Sequence, residues 1–547
     1  MSRTRMWPLM FCAAWPMWAG AAPDAGAVLR QIEPARAPVL PATSQSQGSW
    51  TEPAPPLDGE STTPVKGFRF VGNHQLTDRQ LKRALRGFED RPLSLSQMKQ
   101  AAQVVTQRYR KAGWMVRTFL PRQEIEGGIV TIRVVEVAFA GVKLPAEKPK
   151  RIAPQKLLNI VQAAQPQGEA LNVTEIDRAL LLMDDLPGVS VAGNYVAGDA
   201  DDQTALALLL SDEPVANGSV TVDNQGARST GAERVMLNVS LNSPTQQGDQ
   251  VTATLLKTQS GDDRQSQYVR LAYTLPAGSQ GWRVGTQASH MDYRSKTTDQ
   301  SGEGDSQTWG LTANYPLLRS LDRNLYAALA YDHKRFASQS GASPEANRHR
   351  VDVLNTSLSG NWRDEWGQGA VTSASLTYAL GRVHDVVDAT QGAYRKWSLT
   401  LNRQQQLGGG WSLLASAQMQ RTKKSLDSSE KLYLGGANSV RAYPGSEAGG
   451  DQGHSVSLEL RQKLGTQWSW LSFVDQGEVK PASGSTSLPA NLRGAGLGLA
   501  WQSAKGSEAK LTLARRVGHN PNPMADGSDS DGTLKLNRLW LSLSSPF

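Results

Sequence analysis

The chain closes on a period of two. Leu539, Leu541, Leu543 and Phe547 share one face of an extended strand, and Arg538, Trp540, Ser542 and Ser544 share the other. One apolar and one polar face, running flush to Phe547, is what the closing strand of an outer-membrane β-barrel needs: one side meets lipid, the other a polar interior. An amphipathic edge strand of a soluble sheet has the same period, so this segment alone leaves both open. The pattern is compatible with a mean hydropathy of −0.43. A barrel hides its membrane surface in every second residue and needs no long apolar run.

The other end reads as an export leader. Arg3 and Arg5 precede an apolar stretch from Met6 to Ala19, and Ala19-Gly20-Ala21 fits a small-x-small cleavage site, so residues 1–21 are expected to be a signal peptide. The single cysteine, Cys12, lies inside it. The exported chain then carries no thiol, which suits passage through an oxidising periplasm and excludes zinc-thiolate and thiol chemistry.

The formal charge of +8 is unevenly spread. Residues 65–142 hold 14 Lys/Arg against 6 Asp/Glu, and residues 143–212 hold 6 against 10. Such a basic segment fits nucleic acid, acidic lipid headgroups or an unfolded polypeptide, or it is a solvated face with no partner. An exported chain rarely meets nucleic acid, so none is expected as a partner.

The mature chain divides into regions. In residues 22–33, Asp24 caps a short helix with Val28, Leu29 and Ile32 on one side and Pro34 as its stop. Residues 34–64 are rich in Pro, Ser, Thr and Gln and read as an extended linker. Residues 65–139 read strand, helix, helix, strand, strand: Phe68 and Phe70, then a helix capped by Thr77, then one carrying Leu95, Met98, Ala102, Val105 and Tyr109, then strands at 115–120 and 129–137. Residues 140–212 repeat this order, with helices at 152–163 and 174–186 and strands at 189–196 and 205–210. From 213 to 547 short alternating segments recur between polar, Gly-rich turns, such as Val269/Leu271/Tyr273/Leu275 and Val456/Leu458/Leu460. At roughly 10 residues per membrane strand and as many per connection, this stretch holds about 16 strands.

Three late motifs stand out. Val440-Arg441-Ala442-Tyr443 is followed by Gly450-Asp451-Gln452-Gly453, and then by Phe473-Val474-Asp475-Gln476-Gly477 on an alternating segment. An arginine on a loop and an aspartate on a nearby strand are suited to a bidentate ion pair that would tether the loop inside the barrel.

With these motifs the chain resembles the TpsB transporters of two-partner secretion, the FhaC/ShlB/HecB haemolysin secretion and activation family of the BamA superfamily. The family's VRGY/F, GDxG and (F/G)xDxG motifs read here VRAY, GDQG and FVDQG. Gly113-Trp114 to Leu120-Pro121, Leu186-Pro187-Gly188-Val189 and Asp223-Asn224-Gln225-Gly226 stand where the family has similar runs. The resemblance implies a transmembrane antiparallel β-barrel of about 16 strands, preceded by two α+β (βααββ) polypeptide-transport-associated (POTRA) domains and an N-terminal plug helix. It implies an outer-membrane pore with its POTRA domains in the periplasm, exporting an unfolded TpsA exoprotein. Its other partners would be outer-membrane lipid and the barrel assembly machinery, and no cofactor is implied. Ala442 departs from the family's glycine. Alanine dislikes φ > 0, so either the loop does not use that conformation there or its tip is shaped differently.

Nothing in the sequence points to catalysis. The seven histidines form no metal-ligand spacing, and there is no G-x-S-x-G elbow and no P-loop. Gly494-x-Gly496-x-Gly498 lies in an alternating segment and reads as small residues on a strand. Two other functions fit parts of the pattern: an assembly factor of the same superfamily that inserts other barrels, and a passive channel. The first usually carries more POTRA domains, and the second needs none.

Overall fold

The alternating segments close on one another into a ring. The computed structural model describes residues 23–33 and 61–547, apart from 148, 262, 298–300, 342–345, 483–488, 522 and 525. The expected leader at 1–21 and residues 34–60 of the expected linker lie outside the described residues.

The first helix, α1 (Ala25–Ile32), is capped by Asp24, whose Oδ1 accepts from the Ala27 N–H at 2.8 Å. The next unit runs β1 (Thr62–Val65), β2 (Gly67–Val71), α2 (Asp78–Leu85), β3 (Arg91–Ser94), α3 (Leu95–Lys111), β4 (Val116–Phe119) and β5 (Ile129–Glu136). β5 is central, parallel to β2 and antiparallel to β4. The end of the expected linker is ordered: Thr62–Val65 pairs with β3, and Pro64 faces Pro92. A two-stranded edge pair tolerates prolines that a central strand would not. Thr77 and Gln80 form the capping box that starts α2.

α3 buries Met98, Ala102, Val105 and Tyr109 as its spacing predicts, but Leu95 is 55% exposed. The correction has a local cause. Ser94 and Gln97 form a capping box that makes Leu95 the first helical residue, and the fully buried Leu93 takes the core position instead. Tyr109 donates to Glu136 Oε1 at 2.8 Å, which also accepts from the N–H groups of His74 and Gln75. Burial and this carboxylate push the Tyr109 hydroxyl well above its ordinary pKa.

The order repeats in β6 (Ala138–Lys143), α4 (Pro154–Ala164), α5 (Val173–Asp184), β7 (Val189–Ala197) and β8 (Gln203–Asp212). β8 lies between β6 and β7. α4 starts two residues later than periodicity predicts, because Pro154 occupies the first turn, where a missing N–H costs nothing. α5 starts one residue earlier, because Asn172 caps it.

The rest is a closed barrel of sixteen strands: β9 (Ala216–Asp223) to β19 (Trp411–Thr422), then β22 (Gln452–Leu464) to β26 (Asn537–Pro546). All neighbours are antiparallel, and β26 closes the ring on β9, where Phe547 and Gly218 exchange two backbone hydrogen bonds at 3.0 and 3.1 Å. A small hairpin, β20 (Leu432–Leu434) and β21 (Ala448–Gly450), lies between β19 and β22 and outside the ring. Among the described residues no helix is long and apolar enough to cross a membrane.

The second βααββ unit sits against one end of the barrel. Arg319 holds Asp185 through two bonds of 2.8 and 2.9 Å, and Ser243 donates to the Arg151 carbonyl at 2.7 Å. That end carries Trp282–Tyr315 and Trp468–Trp501, and the far part of the wall carries Trp309–Tyr331 and Tyr378–Trp397. Amphipathic rings in two bands are what a membrane slab with two interfaces selects.

On β26, Leu539, Leu541, Leu543 and Phe547 are exposed on the outer surface, while Arg538 and Trp540 are buried inward. Leu541→Arg therefore places a charge against lipid, at about 2–4 kcal/mol near the midplane. It should reduce the heat-modifiable, assembled form, and Ser542→Arg on the inner face should not. Equal effects of the two substitutions would mean the facing is reversed.

Candidate functional site

The connection between β19 and β22 enters the barrel instead of standing above it. Its tip, Val440, Arg441, Ala442 and Tyr443, is buried throughout. A turn shapes it: Tyr443 N–H reaches the Val440 carbonyl at 3.2 Å, and Gly436 N–H reaches the Tyr443 carbonyl at 3.0 Å.

Arg441 lies at the centre. Its Nε and Nη2 donate to the two oxygens of Asp475 at 2.8 and 2.7 Å, and its backbone N–H adds a third bond to that carboxylate at 3.1 Å. Nη1 reaches Glu459 at 2.5 Å, and Nη2 also reaches Ser457 at 2.9 Å. The guanidinium stacks 3.4 Å from the Phe473 ring centroid, and Trp540 Nε1 donates to the Arg441 carbonyl at 2.8 Å. The acceptors come from β22 and β23 (Trp468–Lys480), where Ser457 and Asp475 are register partners. One planar fork thus joins the loop to two strands, a geometry that lysine cannot reproduce.

This pair does not stand in water. Arg441, Asp475 and Glu459 are 6%, 4% and 3% exposed. Glu459 was not among the expected site residues, although the sequence carried a signal for it. A carboxylate at a mid-strand inward position, between the lipid-facing Leu458 and Leu460, needs a buried partner.

Ala442 does not take positive φ, so the glycine usual at this position is not needed for backbone freedom here. Instead its methyl packs on Gly494 of β24 (Ala490–Gln502), where an added Cβ would lie 2.5 Å from the Ala442 Cβ. Gly496 similarly receives the Phe473 ring. Gly494 thus seats the loop tip, while Gly496 and Gly498 make room for Phe473 and Leu471 of the neighbouring strand. Gly494→Leu overpacks that contact, at about 1–3 kcal/mol. The expected result is faster hydrogen exchange at residues 440–443 with an intact heat-modifiable barrel. Unchanged protection would mean that Gly494 does not seat the tip.

The base of the loop has its own anchors. Asp451 accepts the N–H of Leu426 at 2.9 Å and of Ala482 at 2.7 Å. Gly450 and Gly453 lie against Val479, and Gly477 lies against Leu434. Glu430 is held between Lys334 at 2.7 Å and Lys396 at 2.6 Å, and Asp427 pairs with His349 at 2.9 Å. Near the tip Arg516 lies 4.5 Å from the Tyr443 ring centroid and pairs with Asp529, which also binds Arg538 at 2.7 Å. No sequence motif marks these groups: the partners of Glu430 and Asp427 are distant in the chain, and Asp529 meets Arg516 and Arg538 only where a loop folds back between two strands.

α1 occupies the lumen beside this loop. Ala25, Val28 and Leu29 are buried against Tyr268, Met291, Tyr293, Phe336, Val351 and Tyr394 of the inner wall, and Ile32 is partly buried there. Asp24 accepts from Ser428 Oγ at 2.6 Å, Ser338 Oγ accepts from the Ala25 N–H at 2.9 Å, and Tyr268 donates to Glu33. Gly26 is required by close approach: a Cβ there would collide with Ser428 and Ser429.

Helix and loop together occupy the barrel interior, the helix through apolar contacts and the loop through buried ion pairs. Among the described residues no group of His, Cys, Asp and Glu is arranged to hold a metal ion.

Comparison with known proteins agrees with this architecture. Residues 202–501 match the model of the haemolysin secretion/activation protein ShlB/FhaC/HecB, and residues 63–137 match the ShlB-type POTRA domain. The heme/hemopexin transporter protein HuxB of Haemophilus influenzae is 22% identical over 498 residues, covering 87% of this chain and 85% of HuxB. The outer membrane transporter CdiB of Dickeya dadantii is 22% identical over 458 residues, covering 80% and 79%. The structure of CdiB from Escherichia coli superposes with a TM-score of 0.73 at 18% identity over 96% of both chains.

Proposed function

The chain belongs to the ShlB/FhaC/HecB haemolysin secretion/activation family, and on that premise we propose that it is the outer-membrane pore of a two-partner secretion system, exporting an unfolded TpsA-type exoprotein. The observation that carries the reading is the sixteen-stranded barrel whose interior is filled by two separable elements, α1 and the loop bearing Arg441, with two βααββ units at its periplasmic end. A passive channel has no use for such units. A secretion pore needs them to hold the passenger before it enters.

Recognition is read as strand addition. β2 and β4 are the sheet edges of the first unit and β6 and β7 those of the second, and an extended peptide adds to such an edge by main-chain hydrogen bonds with little demand on sequence. The excess of Lys and Arg in residues 65–142 adds long-range attraction for acidic passenger segments. Arg441 with Asp475 and Glu459 tethers the loop that shapes the pathway, and α1 is the plug that closes it at rest. No catalytic role is assigned. The barrel itself is expected to reach the membrane through the barrel assembly machinery.

The test is export in cells. With the full chain and its exoprotein co-expressed, the passenger should appear outside. Deletion of residues 63–137 should stop that while the heat-modifiable barrel remains. Export that survives the deletion would overturn the receptor role. A general loss of other outer-membrane barrels on depletion of this chain would favour an assembly factor.

A further inference from the structure

Beyond the outer aromatic band the lipid-facing wall carries an unneutralised arc of arginines. The strand register fixes its height. Trp309 pairs with His333, His333 with Asp352, Asp352 with Arg382, and Arg382 with Ala393. Relative to this cross-strand row the aromatic band descends as strand order advances: Tyr331 lies two residues toward the periplasmic end, and Tyr378 and Trp397 lie four. That descent is what tilted strands give to a level band. Arg382 stands on the row, Arg395 two residues below it, and Arg421, paired with Trp397, four below. The arginines thus form a descending diagonal on three consecutive strands, β17 (Ala370–His384), β18 (Gly392–Gly408) and β19, four residues above Tyr378 on the first and two above Trp397 on the second, on the extracellular side of the rings. Neighbouring positions on such a diagonal are roughly 7–8 Å apart.

Arg382, Arg395 and Arg421 are exposed, and among the described residues none has a carboxylate in ion-pair range. Arginines elsewhere on the outer wall are of both kinds: Arg335, Arg348, Arg493 and Arg515 are likewise exposed with no carboxylate ion pair among the described residues, while others are neutralised. Arg350, one strand away, holds Asp385 at 2.7 Å, and Arg403, near the periplasmic band, holds Asp364 at 2.7 Å. An unpaired guanidinium at the hydrocarbon boundary is costly unless it reaches an anion at headgroup level. Phosphate is the anion whose geometry the guanidinium fork matches. The outer leaflet of an outer membrane is a glycolipid whose acylated sugars bear phosphates. We propose that Arg382, Arg395 and Arg421 clamp the phosphorylated sugar headgroup of that lipid, with the Tyr378–Trp397 pair, centroids 4.4 Å apart, at the boundary beneath it. The proposal rests on the outer-membrane placement above and names the lipid chemistry at that surface. Because β19 leads directly into the lumen loop, the clamp fixes the strand that carries the loop.

The test uses the full-length protein in phosphatidylcholine vesicles containing bis-phosphorylated lipid A, dephosphorylated lipid A, or neither, with lipid retention read by native mass spectrometry after gentle extraction. Wild type should retain the phosphorylated lipid at least tenfold better than the dephosphorylated one. The Arg382→Gln/Arg395→Gln/Arg421→Gln variant should lose that preference, Arg403→Gln should keep it, and the triple Arg→Lys variant should restore part of it. Equal retention by wild type and the triple Gln variant overturns the clamp. Displacement by millimolar inorganic phosphate alone overturns the lipid assignment in favour of a free-anion site. A chain that gives no heat-modifiable band in any vesicle overturns the outer-membrane barrel reading itself, whereas a well-assembled barrel blind to phosphate overturns the arc alone.

Discussion

Arg441→Ala should lower export at least tenfold while leaving the barrel assembled. The substitution strands two carboxylates, Asp475 and Glu459, both nearly excluded from solvent, and breaking a buried pair this way costs about 3–5 kcal/mol. A tether standing in a water-filled lumen would cost far less. Burial against Phe473 and Trp540 places it in the higher range. The backbone ladder does not pass through these side chains, so the loss falls on the loop. Asp475→Ala should be milder, because Arg441 keeps Glu459 at 2.5 Å and Ser457 at 2.9 Å. The double variant Arg441→Ala/Asp475→Ala should be little worse than Arg441→Ala alone, the non-additivity expected of groups in contact. Arg441→Lys should fall between, since one ammonium cannot reach both carboxylates in fork geometry. Defects that multiply independently in a secretion assay would mean that the loop is held by something else.

Deleting residues 24–33 should raise single-barrel conductance in planar bilayers several-fold, with secretion retained. α1 has only eight residues, too few to be stable alone, so the inner wall holds it in shape. Val28 and Leu29 each gain about 1.5–3 kcal/mol from burial, and Asp24, Ala25 and Glu33 add polar contacts to Ser428, Ser338 and Tyr268. Leu29→Asp should open the pore partway, because it removes one apolar contact and buries a charge. Gly26→Leu should do the same without touching that face, by collision with Ser428 and Ser429. Unchanged conductance in the deletion would rule out a plug.

Much of the architecture was legible because it follows from periods and caps. Alternation marks strands wherever one side meets lipid and the other a polar interior, and Asp24 and Thr77 are capping residues whose geometry is local. The errors also have local causes that periodicity does not see. Leu95 matches the helical stripe but is the first residue after a cap, and Thr62–Pro64 reads as linker yet finds a proline-tolerant edge partner. The site was legible in part. Arg441 and Asp475 stood out as a motif pair 34 residues apart, whereas Glu459 lay inside an ordinary-looking strand.

The sequence by itself determined the facing of every strand that alternates, since a one-residue slip would turn its apolar side inward. It also determined the capped helices and the charge excess of residues 65–142. Only the tertiary structure decided which distant groups meet: Glu430 with Lys334 and Lys396, Ala442 with Gly494, and Arg382, Arg395 and Arg421 on one diagonal of neighbouring strands. The physical reason is that facing is set within a few residues of backbone, whereas strand stagger around a closed ring, and the path of a loop folded back into it, are fixed only when the last strand pairs with the first.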